Sequence, residues 1–89
     1  MKAEQIVISN KLGLHARAAA KLVQLSNQFH ADIRLEKDGQ VADAKSIMDV
    51  LMLTGTKDSE LTVSAEGKDE DSAIREVIRL FEDKFGEGE

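Results

Sequence analysis

The chain is short and acidic, and it contains no cysteine, proline, tryptophan or tyrosine. Its 89 residues include 17 acidic and 12 basic side chains, which give a formal net charge of −5. This length predicts one domain spanning residues 1–89 with a single core. Nucleic-acid binding is disfavoured, because it requires clustered Lys and Arg and, for single strands, stacking aromatic rings. Without cysteine there is no disulfide, thiolate metal site or thiolate nucleophile.

The sequence also lacks export and membrane signals. Its first five residues, Met-Lys-Ala-Glu-Gln, begin no apolar stretch of signal length. No segment approaches the roughly 20 apolar residues of a membrane-spanning helix. We therefore expect a soluble cytoplasmic protein with no membrane insertion.

The first half of the chain predicts a strand, a helix and a hairpin. Residues 5–8 form a short β-branched run typical of a strand, and residues 16–27 have the apolar spacing of a helix. The side of that helix expected to face the core contains Ala16, Ala19, Ala20, Leu22 and Val23. Polar and apolar residues alternate over 32–36, and an Asp-Gly pair then favours a tight turn into a strand at 40–43.

The second half predicts a short helix, a strand and a long helix. Ser46 resembles an N-cap, with an acid three residues later, so a short helix is expected over 47–53. Residues 60–66 alternate like a half-buried strand. A strongly amphipathic helix follows, capped by Asp69 or a neighbour and running to about residue 84. Residues 86–89 are expected to fray.

The predicted order βαββαβα implies an α+β open-faced sandwich. Strands with one wet face require a sheet that is covered on its other face. We therefore expect a four-stranded antiparallel sheet under two long helices and one short helix. Because the first helix joins strands that no hairpin connects, another strand is expected to lie between them.

His15 has the most informative neighbourhood in the chain, because it stands immediately before the first helix. The first N–H groups of a helix have no internal partners and its dipole is positive there, so a phosphate suits the position. Neutral imidazole is a good nucleophile near pH 7, and the positive helix end disfavours its protonated form. Arg17 adds a fork of donors that matches phosphate oxygens, and Gly13 allows the loop to turn over the helix end. These features point to a phosphoryl group carried on His15.

Each of these residues also has an ordinary structural interpretation. A lone histidine is commonly a surface or capping residue, and Arg17 could be one more exposed charge. Ser46 could act only as a cap. The short helix has apolar residues on nearly every side, so either all are buried or one side is exposed to a partner. A metal site built from His15 and His30 is not expected, since neither belongs to a ligand-like spacing, and no cofactor is expected.

The motifs Gly13-Leu14-His15-Ala16-Arg17, Lys45-Ser46-Ile47-Met48 and Ser64-Ala65-Glu66-Gly67 resemble the HPr family, the histidine phosphocarriers of the bacterial phosphotransferase system. The resemblance covers nearly the whole chain. It implies a phosphoryl carrier rather than an enzyme, with the phosphoryl group on Nδ1 of His15 and assistance from Arg17. It also implies Enzyme I as the donor and a IIA-type protein or domain as the acceptor. The resemblance extends to both the sugar branch and the nitrogen-related branch, NPr.

The resemblance also gives expectations for regulation and docking. Ser46 matches the family's regulatory serine, so a serine kinase and phosphatase are further candidate partners. Ala18 departs from the family, which more often has proline there. We expect a monomer whose docking surface combines Leu14, Ala16, Ala20, Ile47, Met48, Leu51 and Met52. Two alternatives remain open: a regulatory module that binds partners without transferring phosphate, and a small-ligand-binding α/β sandwich.

Overall fold

The computed structural model describes residues 1–88, in which four strands form one antiparallel sheet. The strands are β1 Lys2–Val7, β2 Asp32–Lys37, β3 Gln40–Asp43 and β4 Glu60–Glu66. Their order across the sheet is β1-β4-β2-β3, so β4 lies between the strands that the first helix connects. The predicted crossover with an intervening strand is therefore confirmed.

Three α-helices cover one face of this sheet. They are α1 Ala16–Ser26, α2 Ile47–Met52 and α3 Glu70–Glu82. Alternation in β2 and β4 sends one set of side chains inward under these helices: Ile33, Leu35, Leu61, Val63 and Ala65. The observed order and layers match the predicted βαββαβα open-faced sandwich. Within residues 1–88, no helix is both long enough and apolar enough to cross a bilayer.

Several predicted boundaries and contacts are corrected by the structure. β1 begins at Lys2, because its whole length pairs with β4, from Lys2 opposite Ala65 to Val7 opposite Glu60. Ala16 does not face the core; α1 buries Ala18, Ala19, Leu22 and Ser26, a set spaced by about one helical turn.

Asp69 stands at the N-cap position of α3, but its side chain does not cap that helix. Its carboxylate instead accepts hydrogen bonds from the backbone N–H groups of His30 and Ala31, at 2.9 and 2.8 Å. The bond from His30, with the one from Ala31, holds the pKa of Asp69 below its usual value despite the opposing effect of burial. Asp69 thus ties the loop between α1 and β2 to the start of α3.

The C-terminal segment turns back over the molecule instead of fraying. After α3, a 3₁₀ turn at Lys84–Gly86 places Lys84 and Phe85 at φ of 54° and 56°. The left-handed conformation costs about 1–2 kcal/mol per residue, but Phe85 is 1% exposed and packs edge-to-face on Phe81. Burial of such a ring contributes about 1.5–3 kcal/mol. The expectation of a frayed tail is therefore wrong for residues 86 and 87, whose N–H groups donate to the carbonyls of Asp83 and Lys84. It stays a prediction for residue 88, and residue 89 lies outside the described part of the chain.

Candidate functional site

The loop before α1 is held by close backbone contacts at Gly13. The N–H of Leu14 donates to the carbonyl of Gly55 at 2.8 Å, and Gly13 has a φ of +66°. A Cβ atom at Gly13 would lie 2.3 Å from that same carbonyl oxygen. Only glycine satisfies both the conformation and the close approach, and this fixes the path of the chain into His15.

Gly13→Ala is expected to destabilise the fold by more than the roughly 1–2 kcal/mol that a left-handed alanine costs, because the methyl group also meets the Gly55 carbonyl. Urea unfolding measures this difference. Gly39→Ala is the matched control, since Gly39 has a φ of +83° with nothing within 4 Å of an added Cβ. Equal losses in the two variants would show that the close approach at Gly13 has no energetic weight.

His15 occupies the N-cap position of α1, in an extended conformation with φ −79° and ψ 178°. Its carbonyl accepts the first helical hydrogen bond, from Ala19 at 2.8 Å, while its imidazole makes no capping bond. Within residues 1–88, the backbone N–H groups of residues 16–18 donate to no acceptor, and the first turn contains no acidic residue. The helix end therefore presents open donors and the positive end of its dipole beside the imidazole.

Ala18 preserves the start of α1. Proline at this position would have no N–H, whereas Ala18 retains one, and α1 still begins at Ala16. The departure from the usual family residue thus leaves the helix start intact, but residue 18 is fully buried, so its N–H adds no donor that is open to a ligand.

Arg17 is exposed, and within the described chain no hydrogen bond or ion pair engages its guanidinium. It lines the same open cleft as Lys11, His15 and Glu87. A free guanidinium beside an open helix end provides the two kinds of donor that bind phosphate oxygens best. The structure therefore brings His15 and Arg17 together as the sequence predicts, although their chemical roles remain predictions.

Glu87 is a member of this cleft that the sequence interpretation missed. One of its carboxylate oxygens bonds to Nε2 of His15, and the other accepts from the Asn10 amide at 3.0 Å. Burial raises the pKa of Glu87, but the hydrogen bonds from Asn10 and His15 and the charges of His15 and Lys21 outweigh it and hold the pKa below its usual value. The available sequence signal was Phe85, which continues the apolar spacing of α3. Its buried side chain anchors the chain two residues before Glu87.

Ser46 has the capping role that the sequence predicts. Its backbone is extended, its Oγ accepts from the N–H of Asp49 at 3.3 Å, and its carbonyl accepts from the N–H of Val50 at 3.1 Å. The side chain is partly exposed at the start of α2. A modifying enzyme could reach this position, but its phosphorylation stays a prediction.

The proposed docking residues divide into exposed and buried members. Ile47, Met48 and Met52 are 41%, 64% and 63% exposed, and α2 packs beside α1. Ala16 is also exposed, and Ala20 and Leu51 are partly exposed. The expected apolar patch on α2 is therefore present, and the interpretation in which all of its apolar residues are buried is wrong.

Leu14 must be removed from the docking surface. It is 5% exposed, and its Cδ1 would lie 2.9 Å from a Cβ added at Gly55. Its side chain fills the core beneath the loop, so it cannot contact a partner.

His30 and the acidic residues do not form a second site of the kinds considered. The imidazole of His30 is exposed, and its backbone N–H is bound by Asp69. In the part of the chain that the structure describes, no three His, Asp or Glu side chains are grouped to hold a metal ion.

Sequence comparison connects this geometry to a family. The family model described as "PTS HPr component phosphorylation site" matches residues 2–83. A protein named Phosphocarrier protein HPr from Cupriavidus necator is 46% identical over 82 residues, covering 92% of each chain. Its namesake from Pseudomonas aeruginosa is 42% identical and covers all of both chains.

Solved structures show the same relationship. HPr from Thermoanaerobacter tengcongensis matches with a TM-score of 0.95 and 46% identity over 98% of each chain. HPr from Bacillus anthracis matches with a TM-score of 0.83 and 42% identity, over 85% of this chain and 90% of that one. A dimeric form of the Thermoanaerobacter protein matches with a TM-score of 0.79, 46% identity and coverage of 98% and 100%, so the expectation of a monomer stays a prediction. With a family match over residues 2–83, relatives of one name and the same fold, the chain belongs to the HPr family of phosphotransferase-system phosphocarrier proteins.

Proposed function

We propose that this phosphocarrier accepts its phosphoryl group on Nδ1 of His15 from phosphorylated Enzyme I and passes it to a IIA-type protein or domain. The observation that carries the proposal is the position of His15 at an open helix end, with Arg17, which has no partner within residues 1–88, in the same cleft. The protein acts in this scheme as a carrier between enzymes rather than as an enzyme, and the cytoplasm is its expected location.

The transfer requires only the imidazole and the donors around it. The Nδ1 lone pair attacks phosphorus, a nitrogen–phosphorus bond forms, and the bond to the donor breaks with its electron pair leaving on the donor. Open N–H groups of α1 and the Arg17 guanidinium stabilise the charge on the phosphoryl oxygens. Delivery to the acceptor is the reverse sequence, with the electron pair returning to Nδ1.

The proposal is tested by incubating the protein with phosphoenolpyruvate and Enzyme I and measuring its intact mass. The expected result is a phosphate-sized gain that disappears after brief acid treatment and persists in alkali, as for a phosphohistidine. Adding a IIA-type protein should discharge the carrier. No mass gain, or a gain that survives acid, would contradict the assignment of a phosphohistidine carrier.

A prediction for Ser46 separates its capping role from a regulatory one. Ser46→Ala is expected to cost about 0.5–2 kcal/mol of stability, because the bond to Asp49 N–H is lost. Ser46→Asp should retain the cap and the stability, because aspartate also caps well. Its new charge would lie beside the exposed Ile47 and Met48 and should slow phosphoryl transfer by repelling an acidic partner surface.

These Ser46 variants are compared by thermal melting and by transfer rate at low salt, where repulsion is least screened. Gln5→Glu is the control, because it adds the same charge on exposed β1, where the register pairs Gln5 with Thr62 of β4. Transfer at the wild-type rate by Ser46→Asp would leave Ser46 with its capping role alone.

A further inference from the structure

Glu87 joins the C-terminal segment to the imidazole of His15. The family model matches residues 2–83 and therefore does not include Glu87. We propose that Glu87 is a positioning residue that keeps a proton on Nε2 of His15, so that Nδ1 holds the lone pair that attacks phosphorus. The same contact keeps that proton on the phosphorylated ring, so that His15 leaves as neutral imidazole. This inference rests on the proposed function and adds a residue to it.

The hydrogen bonds of Asn10 help to identify the donor and the acceptor in the contact between Glu87 and His15. Asn10 is fully buried, and its Nδ2 lies 2.8 Å from the carbonyl oxygen of Gly13 and 3.0 Å from Glu87 Oε1. Because a carbonyl oxygen only accepts, the amide end between these partners is the NH₂ group, and Glu87 Oε1 also accepts. One carboxylate oxygen is therefore fixed as an acceptor by a buried donor.

The second carboxylate oxygen must accept from the ring. The pKa of Glu87 is held below its usual value, because the bonds from Asn10 and His15 outweigh the effect of burial, so the carboxylate is ionised near neutral pH. An ionised carboxylate has no proton to donate. Nε2 of His15 is consequently the donor, and a neutral imidazole with a proton on Nε2 has its lone pair on Nδ1.

The segment that contains Glu87 is held in place by its neighbours. Phe85 is buried in the core, and Lys21 Nζ donates to the Phe85 carbonyl at 2.6 Å. A further backbone bond joins Glu87 N–H to the Lys84 carbonyl at 3.0 Å. The Glu87 side chain is 13% exposed, whereas that of His15 is 28% exposed. These contacts hold the carboxylate against the Nε2 edge of the ring, and the His15 side chain remains partly exposed in the cleft.

The proton balance of transfer follows from this contact. When Nδ1 forms its bond to phosphorus, the ring gains a positive charge with its Nε2 proton still in place, and Glu87 compensates that charge. When the nitrogen–phosphorus bond breaks, the electron pair returns to Nδ1 and the ring is neutral without moving a proton. Loss of the Nε2 proton to water would instead require an imidazolate leaving group, which is far less stable.

The two substitutions of Glu87 have different expected effects on the ring tautomer, which ¹⁵N-detected NMR of the imidazole measures directly. Glu87→Ala removes the acceptor and should give a mixture of tautomers. In Glu87→Gln, Asn10 requires the carbonyl end of the new amide, which turns its NH₂ group toward Nε2. That variant should therefore shift the ring to the Nδ1–H tautomer, while wild type shows Nε2–H.

Transfer rates complete the test. Glu87→Ala should slow phosphorylation by Enzyme I about tenfold, and Glu87→Gln at least as much. Glu82→Ala, which removes an exposed glutamate at the end of α3, should leave both rate and tautomer unchanged. An Nε2–H tautomer that persists in both Glu87 variants, or an Nδ1–H tautomer in wild type, would overturn the inference. A wild-type protein that takes no phosphate would instead contradict the proposed function, independently of the tautomer.

Discussion

His15→Ala is expected to lose all acid-labile phosphate while folding normally. The imidazole makes no capping hydrogen bond, and the first bond of α1 uses the backbone carbonyl of residue 15, which alanine retains. The side chain is partly exposed, so its removal opens no core cavity. The loss of phosphate should be complete, because within residues 1–88 the cleft contains no second histidine.

This expectation is checked by intact mass after incubation with phosphoenolpyruvate and Enzyme I, with thermal melting to confirm the fold. His30→Ala is the matched control, since His30 is the second histidine of the sequence and its imidazole is exposed. That variant should accept phosphate at the wild-type rate. An acid-labile gain in His15→Ala would move the assignment to His30.

The architecture could be predicted because its signals are local and periodic. Alternation in β2 and β4 marked one inward face, the Asp-Gly pair marked the hairpin, and the spacing of α3 marked an amphipathic helix. The Ser46 cap also followed from residues three apart. Each of these features depends on neighbours within one turn or one strand, so the sequence contains the whole pattern.

The errors occurred where contacts between distant residues decide the structure. Leu14 resembled an exposed neighbour of His15, but the bond from its N–H to Gly55 turns its side chain into the core. The sequence predicted that α3 runs to about residue 84, but the helix ends at Glu82. Lys84 and Phe85 adopt left-handed conformations, which are uncommon for residues other than glycine.

The most consequential error concerns Glu87, which was expected to lie in a frayed tail. A Gly-Glu-Gly-Glu ending is polar and flexible by composition, and this favoured a frayed tail. Burial of Phe85 and the 77-residue separation from Asn10 to Glu87 determine the outcome instead. His15 and Arg17 were located from sequence because the helix start defines them, whereas the group that orients the imidazole comes from the other end of the chain.

Arg17→Ala is expected to slow phosphoryl transfer roughly 10–150-fold, the equivalent of the about 1.5–3 kcal/mol typical of a hydrogen bond to a charged group. Its effect on stability should be small, because the side chain is exposed and makes no hydrogen bond or ion pair within residues 1–88. A cation in the first turn opposes the helix dipole by some tenths of a kcal/mol. The melting temperature of the variant should therefore stay the same or rise slightly while the rate falls.

Arg17→Lys is the informative control, because lysine keeps the charge but cannot form the paired hydrogen bonds of a guanidinium. If attraction of the phosphate by charge is sufficient, the lysine variant should transfer at nearly the wild-type rate. If the planar fork is required, its rate should fall between those of wild type and Arg17→Ala. The second result is expected, because a guanidinium forms two parallel hydrogen bonds to phosphate oxygens, whereas an ammonium acts as a point charge. A large loss of stability with normal transfer in Arg17→Ala would instead make Arg17 a structural residue, and the open N–H groups of α1 would then be the principal phosphate donors.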